Sequence, residues 1–317
     1  MIETFLAGFE NAFPVVAGVF LVIIAAGLLV RRGIVTQDQI GALSVVTVKV
    51  LLPCLTFSSI IRTLEPAEMP FWWKIPLAAA AMVLFGLGAG ALAFLGKLRE
   101  KRDMLPIASM QNAAYLVLPI GELLFKNEVE LFRLYCFLYV LALNILMWSI
   151  GKVLTTGANN SGWKSVLSPP LWANVLGLVF VFTEARKFVP GVVSDSIQLL
   201  GTATVPVALF VLGAVLGTVK FRLRPYLGDA LRVIGIRLIV IPVVTIGALL
   251  YLRIGGQHPM LATLFVIQAS AAPATAHLLQ IRAYGGNERK VGSIVLASYI
   301  LCVVTMPFWL AVWEMVR

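Results

Sequence analysis

The run Gln111-Asn112-Ala113-Ala114-Tyr115-Leu116-Val117-Leu118-Pro119-Ile120-Gly121 decides the fold, together with Gln268-Ala269-Ser270-Ala271-Ala272-Pro273-Ala274-Thr275-Ala276-His277 further along the chain. Each sets amides, hydroxyls or an imidazole around a proline inside an otherwise apolar stretch, 104 to 125 in the first case and 258 to 281 in the second. A proline within a membrane span removes a backbone donor and clashes with the preceding turn, so it breaks or kinks the helix and frees carbonyls that lipid cannot satisfy. Both breaks must therefore face protein or water. Two broken helices crossing near mid-membrane aim half-helix N-termini, each carrying about half a positive charge, at one point. That point binds an anion without any charged side chain; two ordinary proline kinks packed in a bundle are the alternative.

The rest of the chain supplies the membrane those helices need. With 317 residues, 60% hydrophobic and 13% charged, and a mean hydropathy of +0.95, the sequence is incompatible with a water-soluble globule, and its partner is the lipid bilayer. Apolar runs lie at 12 to 31, 39 to 61, 70 to 96, 104 to 125, 131 to 153, 170 to 188, 193 to 219, 227 to 252, 258 to 281 and 291 to 313. At roughly 20 residues per span these ten nearly exhaust the length and leave no soluble domain. The net charge of +10 does not indicate nucleic acid, because the basic residues sit in short connections and set topology instead. One side of the chain, with Arg31, Arg32 and the clusters at 97 to 102 and 220 to 224, collects fourteen Lys and Arg against eight on the other. The richer side is cytoplasmic, which places both termini outside. Cys54, Cys136 and Cys302 fall inside apolar runs with no disulfide or metal spacing and read as small buried hydrophobes. No cofactor is implied.

The chain also divides in two. The connection 154 to 169, with Thr155-Thr156-Gly157-Ala158-Asn159-Asn160-Ser161-Gly162, is the most polar stretch. It separates a first half (1 to 153) from a second (170 to 317), five runs each. Prolines recur between the halves: Pro53 and Pro206 differ by 153 positions, Pro106 and Pro259 by 153, and Pro119 and Pro273 by 154. Duplicated halves with an odd number of spans must sit upside down relative to each other, an arrangement used by many secondary transporters.

Leu51-Leu52-Pro53, Asn112 to Pro119, Ser168-Pro169-Pro170, Leu200-Gly201 through Val205-Pro206-Val207-Ala208-Leu209 to Leu212-Gly213-Ala214, Arg237-Leu238-Ile239-Val240-Ile241-Pro242, Ala271-Ala272-Pro273 and Ala283-Tyr284-Gly285-Gly286-Asn287 occur in that order. Together they resemble the auxin efflux carrier family, the group of plant auxin carriers and bacterial malate or malonate permease-like proteins. The resemblance implies an all-α polytopic membrane protein of ten helices in two inverted five-helix repeats, with helices four and nine crossed and proline-broken, as in sodium/proton antiporters and bile-acid symporters. It also implies interleaved scaffold and transport domains, a substrate carboxylate near the crossing, an elevator-like motion and a homodimer. The chain departs from the family where an asparagine often stands four residues after the ninth-span proline, since here that residue is His277.

Ionisable and amide side chains within spans are costly unless they face a cavity or a partner, so they are the functional candidates. Asn112 leads, with donors and acceptors at the expected crossing, followed by Gln111, Tyr115, Gln268, Ser270 and Thr275 around the breaking prolines Pro119 and Pro273. Lys49 lies about ten residues into its run, roughly 15 Å deep. It either borders the cavity, attracting the anion or titrating during the cycle, or pairs with an acid such as Asp195 or Glu122. His277 titrates near neutrality and is a candidate for proton coupling, alternatively a packed hydrogen-bonding residue. Arg237 reads as a tie to a carbonyl or an acid of another span. Glu122 is a third coupling candidate or an interfacial acid. The coupling ion, H+ or Na+, stays open. Lys49 beside the crossing would suit a dicarboxylate, whereas an apolar slot among Phe57, Tyr115 and Phe210 would suit an aromatic monocarboxylate.

These features predict a secondary transporter of a small organic anion in the plasma or bacterial inner membrane. A sodium-coupled carrier related to the bile-acid symporters and a transporter-like sensor are the alternatives. An intramembrane enzyme lacks support, since the sequence has no His-Glu-x-x-His and no Gly-x-Ser-x-Gly motif.

Overall fold

The computed structural model describes residues 2–156 and 167–317. Its helices are α1 (Ile2–Arg31), α2 (Gln37–Thr63), α3 (Lys74–Ala93), α4 (Met104–Ser109), α5 (Val117–Leu124), α6 (Val129–Thr155), α7 (Pro169–Phe182), α8 (Gly191–Gly217), α9 (Arg224–Tyr251), α10 (Pro259–Ser270), α11 (Ala276–Tyr284) and α12 (Glu288–Val316), with single-turn pieces between some of them. Among the described residues there is no strand. Among the described residues seven helices, α1, α2, α3, α6, α8, α9 and α12, are long and apolar enough to cross a membrane, and α7 and α10 are shorter apolar helices.

Ten apolar runs thus become seven long helices, the shorter α7, and two runs that are cut in two. Residues 104 to 125 form α4 and α5, and 258 to 281 form α10 and most of α11. The run expected to start at 12 begins at Ile2, because the helix continues past Glu10 and carries Pro14 inside it. The run expected to reach 188 ends at Phe182, after which Glu184 takes a left-handed backbone conformation, φ 58°. The connection assigned to 154 to 169 lies largely outside the described residues.

Local chemistry fixes the ends. Thr36 and Gln39 form a reciprocal capping box at the start of α2, satisfying two N–H groups that the first turn leaves open. Pro169 opens α7 and Pro259 opens α10, positions where a missing N–H costs nothing. α2, α6 and α9 each contain a π-helical turn, at Thr47–Leu51, Met147–Gly151 and Ile236–Val240. Two of these turns immediately precede a proline, Pro53 and Pro242. Widening the helix there moves the carbonyls that a proline ring would strike. The helices therefore run on through these prolines without being cut.

Close packing relies on small residues. α1 lies against α12 and the second half of α8, α2 against α7 and the first half of α8, and α3 against α4 and α6. Where α1 meets α8, a Cβ at Gly213 would come within 2.4 Å of the Ile23 carbonyl, and one at Gly217 within 2.6 Å of the Gly27 carbonyl. Glycines four apart let two backbones touch, which is how helices associate where lipid gives no hydrophobic drive.

Candidate functional site

The two interruptions meet. Gln111 and Pro273 form an isolated antiparallel bridge, in which the Asn112 N–H donates to the Ala272 carbonyl at 2.9 Å and the Ala274 N–H to the Met110 carbonyl at 3.0 Å. Each unwound segment thereby satisfies backbone groups that the other exposes. Pro273 sits in the bridge itself. Pro119 does not: it lies in the first turn of α5, downstream of the break. A proline is tolerated there because that turn has no intrahelical use for its N–H. The break comes earlier, where the Asn112 side chain accepts from the Tyr115 N–H at 3.1 Å and turns the chain locally.

A network of buried amides and hydroxyls surrounds the bridge. Asn112 Nδ2 donates to the Tyr299 hydroxyl of α12 at 2.7 Å and reaches Thr275 Oγ1 at 3.4 Å. Gln111 Nε2 bonds the Tyr139 hydroxyl and lies 3.3 Å from Gln268 Oε1, while Gln111 Oε1 has no partner. Gln268 Nε2 reaches the Ala113 carbonyl at 3.5 Å. Ser270 turns back onto the Val266 carbonyl of its own helix at 2.8 Å.

Arg237 completes the arrangement from behind. Its guanidinium, fully buried, donates to the carbonyls of Ser109 (3.1 Å), Gln268 (2.6 Å), Ala269 (2.7 Å) and Ala271 (2.9 Å). Of the two partners expected for it, a carbonyl or an acid, the structure has carbonyls, all at the ends of α4 and α10.

A cavity of about 160 Å³ opens against the crossing. Gln111 to Tyr115 and Ala274 to Ala276 form one wall, Val48 and Leu52 of α2 face them, and Val140, Leu143, Asn144, Met147 and Trp148 of α6 with Ser168 and Pro170 close the rest. Among the described residues no charged side chain lines it. The residues just before α5 and at the start of α11 are in the wall, so the positive ends of both second half-helices face the space. Ser168 Oγ is buried without a partner.

Of the candidates read from sequence, Asn112, Gln111, Tyr115 and Thr275 line this cavity, and Gln268, Ser270, Pro119 and Pro273 are buried behind or beside it. Lys49 is a correction: it lies exposed on the outside of α2 and does not line the cavity. Val48 and Leu52 take the inward positions of that turn. Nor does Lys49 pair with either expected acid, since Asp195 is bonded to Arg62, and Glu122 to Arg133 at 2.5 Å. His277 is also outside the cavity, fully buried, with Nδ1 3.3 Å from both Thr155 Oγ1 and Gln280 Oε1 and with Nε2 unpartnered. Phe57 packs edge-on against Phe180, and Phe210 borders a separate groove between α2 and α8, so only Tyr115 of the expected aromatic slot is in place. Sequence reading missed Asn144, Trp148 and Tyr299. Asn144 carried a signal, as a lone amide within the apolar run 131 to 153; Tyr299 carried none.

Comparison with known proteins bears on this arrangement. A family model described as membrane transport protein matches residues 12–162 and 158–310. An uncharacterized transporter of Methanothermobacter thermautotrophicus is 24% identical over 312 residues, 95% of this chain and 98% of the relative. Another, from Methanocaldococcus jannaschii, is 24% identical over 191 residues, 57% of this chain and 61% of that relative.

Proposed function

The chain belongs to the membrane transport protein family, and from that premise we propose that it is a secondary carrier of a small organic anion, bound in the cavity beside the crossed breaks. The observation that carries this reading is the union of the Gln111–Pro273 bridge with a cavity whose wall contains the residues at the head of α5 and α11. An anion there is met by two positive helix ends, while Asn112, whose donors are held by Tyr299, Thr275 and the Ala272 carbonyl, fixes the wall behind it.

The lining favours one carboxylate over two. Without Lys49 the cavity offers a single positive locus, and Val48, Leu52, Val140, Leu143, Met147, Trp148 and Leu279 offer an apolar body a place to lie. A monocarboxylate with an apolar or aromatic portion fits this pairing better than a dicarboxylate. The proline offsets support two inverted five-helix repeats in one ten-helix plan, with the crossing helices moving as an elevator against a scaffold containing α1, α2, α7 and α8, in a homodimer. Positive-inside asymmetry puts both termini outside the cytoplasm. His277 is the group suited to proton coupling, because it is buried, titratable and held apart from the substrate.

The test is a thermal-shift screen of the purified protein against mono- and dicarboxylates in sodium or potassium at two pH values, since a ligand that binds only the folded state raises apparent stability. Stabilisation by monocarboxylates that Asn112→Ala abolishes is the expected result. A response confined to cations or neutral solutes overturns the anion reading and leaves the fold untouched.

A further inference from the structure

Each broken helix brings two ends of opposite sign to the crossing. α4 and α10 arrive with their carbonyl ends, which carry partial negative charge, and α5 and α11 leave with amide ends of the opposite sign. Left alone, four such ends sum to nothing, and the crossing has no preference for anions over cations.

Arg237 removes that symmetry. Its three nitrogens are all spent on carbonyls from the two arriving ends, and none on α5 or α11. It is fully buried, and among the described residues it has no carboxylate partner. A buried guanidinium without a counter-ion is costly unless something balances it; here the partial negative charges of four carbonyls at two helix ends offset it. The cavity lies on the other face, where Ala114, Tyr115, Thr275 and Ala276 belong to the departing ends. Of the two unpartnered polar atoms at the same cavity, Ser168 Oγ can donate to an anion, whereas Gln111 Oε1 only accepts.

We propose that Arg237 sets the charge preference of the site: by neutralising the carbonyl ends of α4 and α10 it leaves the amide ends of α5 and α11 uncompensated, so that the crossing selects anions. Arg237 is thus a positioning and specificity residue that never touches substrate. The inference rests on the anion-carrier reading above and goes beyond it, because it assigns the sign of the site to a residue outside the cavity.

The test compares phenylacetate with its uncharged counterpart phenylacetamide, by titrating the purified full chain and following Trp fluorescence, in the wild type, Arg237→Gln and Arg237→Lys. Wild type and Arg237→Lys, which keeps the charge with fewer donors, are expected to prefer the acid. Arg237→Gln is expected to narrow that preference by about tenfold or more, the scale of a helix-end charge interaction in a buried setting. A residue that merely stabilises the fold would weaken both ligands alike and leave their ratio unchanged, and that result overturns the inference. If Arg237→Gln does not fold, the Lys variant decides: a tenfold loss of preference with charge retained overturns it as well. A wild type that prefers the amide, or binds neither probe, refutes the anion reading itself and the inference with it.

Discussion

The side-chain amide of Asn112 donates to the Tyr299 hydroxyl at 2.7 Å while its backbone N–H donates to the Ala272 carbonyl at 2.9 Å, so α12 and the second break grip the same residue from two sides. Removing the Tyr299 hydroxyl leaves that amide with Thr275 at 3.4 Å as its remaining donor contact. Tyr299→Phe is expected to lower stability by about 1 to 3 kcal/mol, the cost of stranding a buried polar group. Asn112→Ala costs a similar amount and also weakens carboxylate binding. Chemical denaturation of the single and double variants in detergent tests this: the double variant should lose clearly less than the sum of the two singles, and strict additivity would show that the bond carries no energy.

Gly213 and Gly217 hold α8 against α1 without a side chain between the backbones. A Cβ at Gly213 would stand 2.8 Å from the Ile23 Cα as well as close to its carbonyl, and neither atom can move without shifting the helix. Gly213→Ala is therefore expected to lower stability by an amount in the range of overpacked cores, about 1 to 3 kcal/mol, and with it the thermal midpoint. Gly88→Ala is the control, because a Cβ there meets nothing within 4 Å. Equal midpoints for the two variants would mean that α1 and α8 do not pack this closely.

What could be read from the sequence followed from chemistry local to a segment. Apolar length announced the spans, and the amides beside Pro119 and Pro273 announced the two interruptions, because a polar group in lipid needs a reason. The exact position of the first break was not legible: Pro119 seemed to mark it, but a proline in a first turn and a proline at a break look the same in one dimension. Lys49 was misplaced for a related reason. Depth along a helix is countable, whereas the face on which a residue sits depends on what packs there, and the π-helical turn at Thr47–Leu51 shifts that face further. The Asn112–Tyr299 pair joins residues 187 positions apart, and no spacing rule links them. Arg237 was legible as a buried cation seeking carbonyls or an acid; that its four carbonyls all lie at the ends of two helices required the fold.

Lys49 lies twelve residues past Gln37, about 18 Å along α2, and faces outward with no bonded partner among the described residues. A lysine exposed to hydrocarbon at such depth costs about 2.5 to 3.5 kcal/mol on insertion scales. Lys49→Leu is expected to raise the thermal midpoint and to leave carboxylate affinity within about twofold, since a residue off the cavity wall contributes only distant charge. Thermal-shift titration reads both quantities at once. A loss of affinity on this substitution would return Lys49 to the site and reopen the case for a dicarboxylate.

His277 offers the sharpest test of coupling, because its surroundings separate proton binding from substrate binding. It stands one turn beyond the break, in α11, against Thr155 at the end of α6. Its Nε2 has no partner among the described residues. Transport coupled through this residue should then vary with pH, while equilibrium binding of carboxylate varies little. His277→Gln keeps a hydrogen-bonding side chain of similar reach and cannot titrate. In proteoliposomes with an imposed pH gradient it is expected to abolish gradient-driven uptake and to preserve carboxylate affinity. Gradient-driven uptake that survives the substitution would exclude His277 as the coupling group; with Glu122 already bonded to Arg133, the search would then turn to sodium.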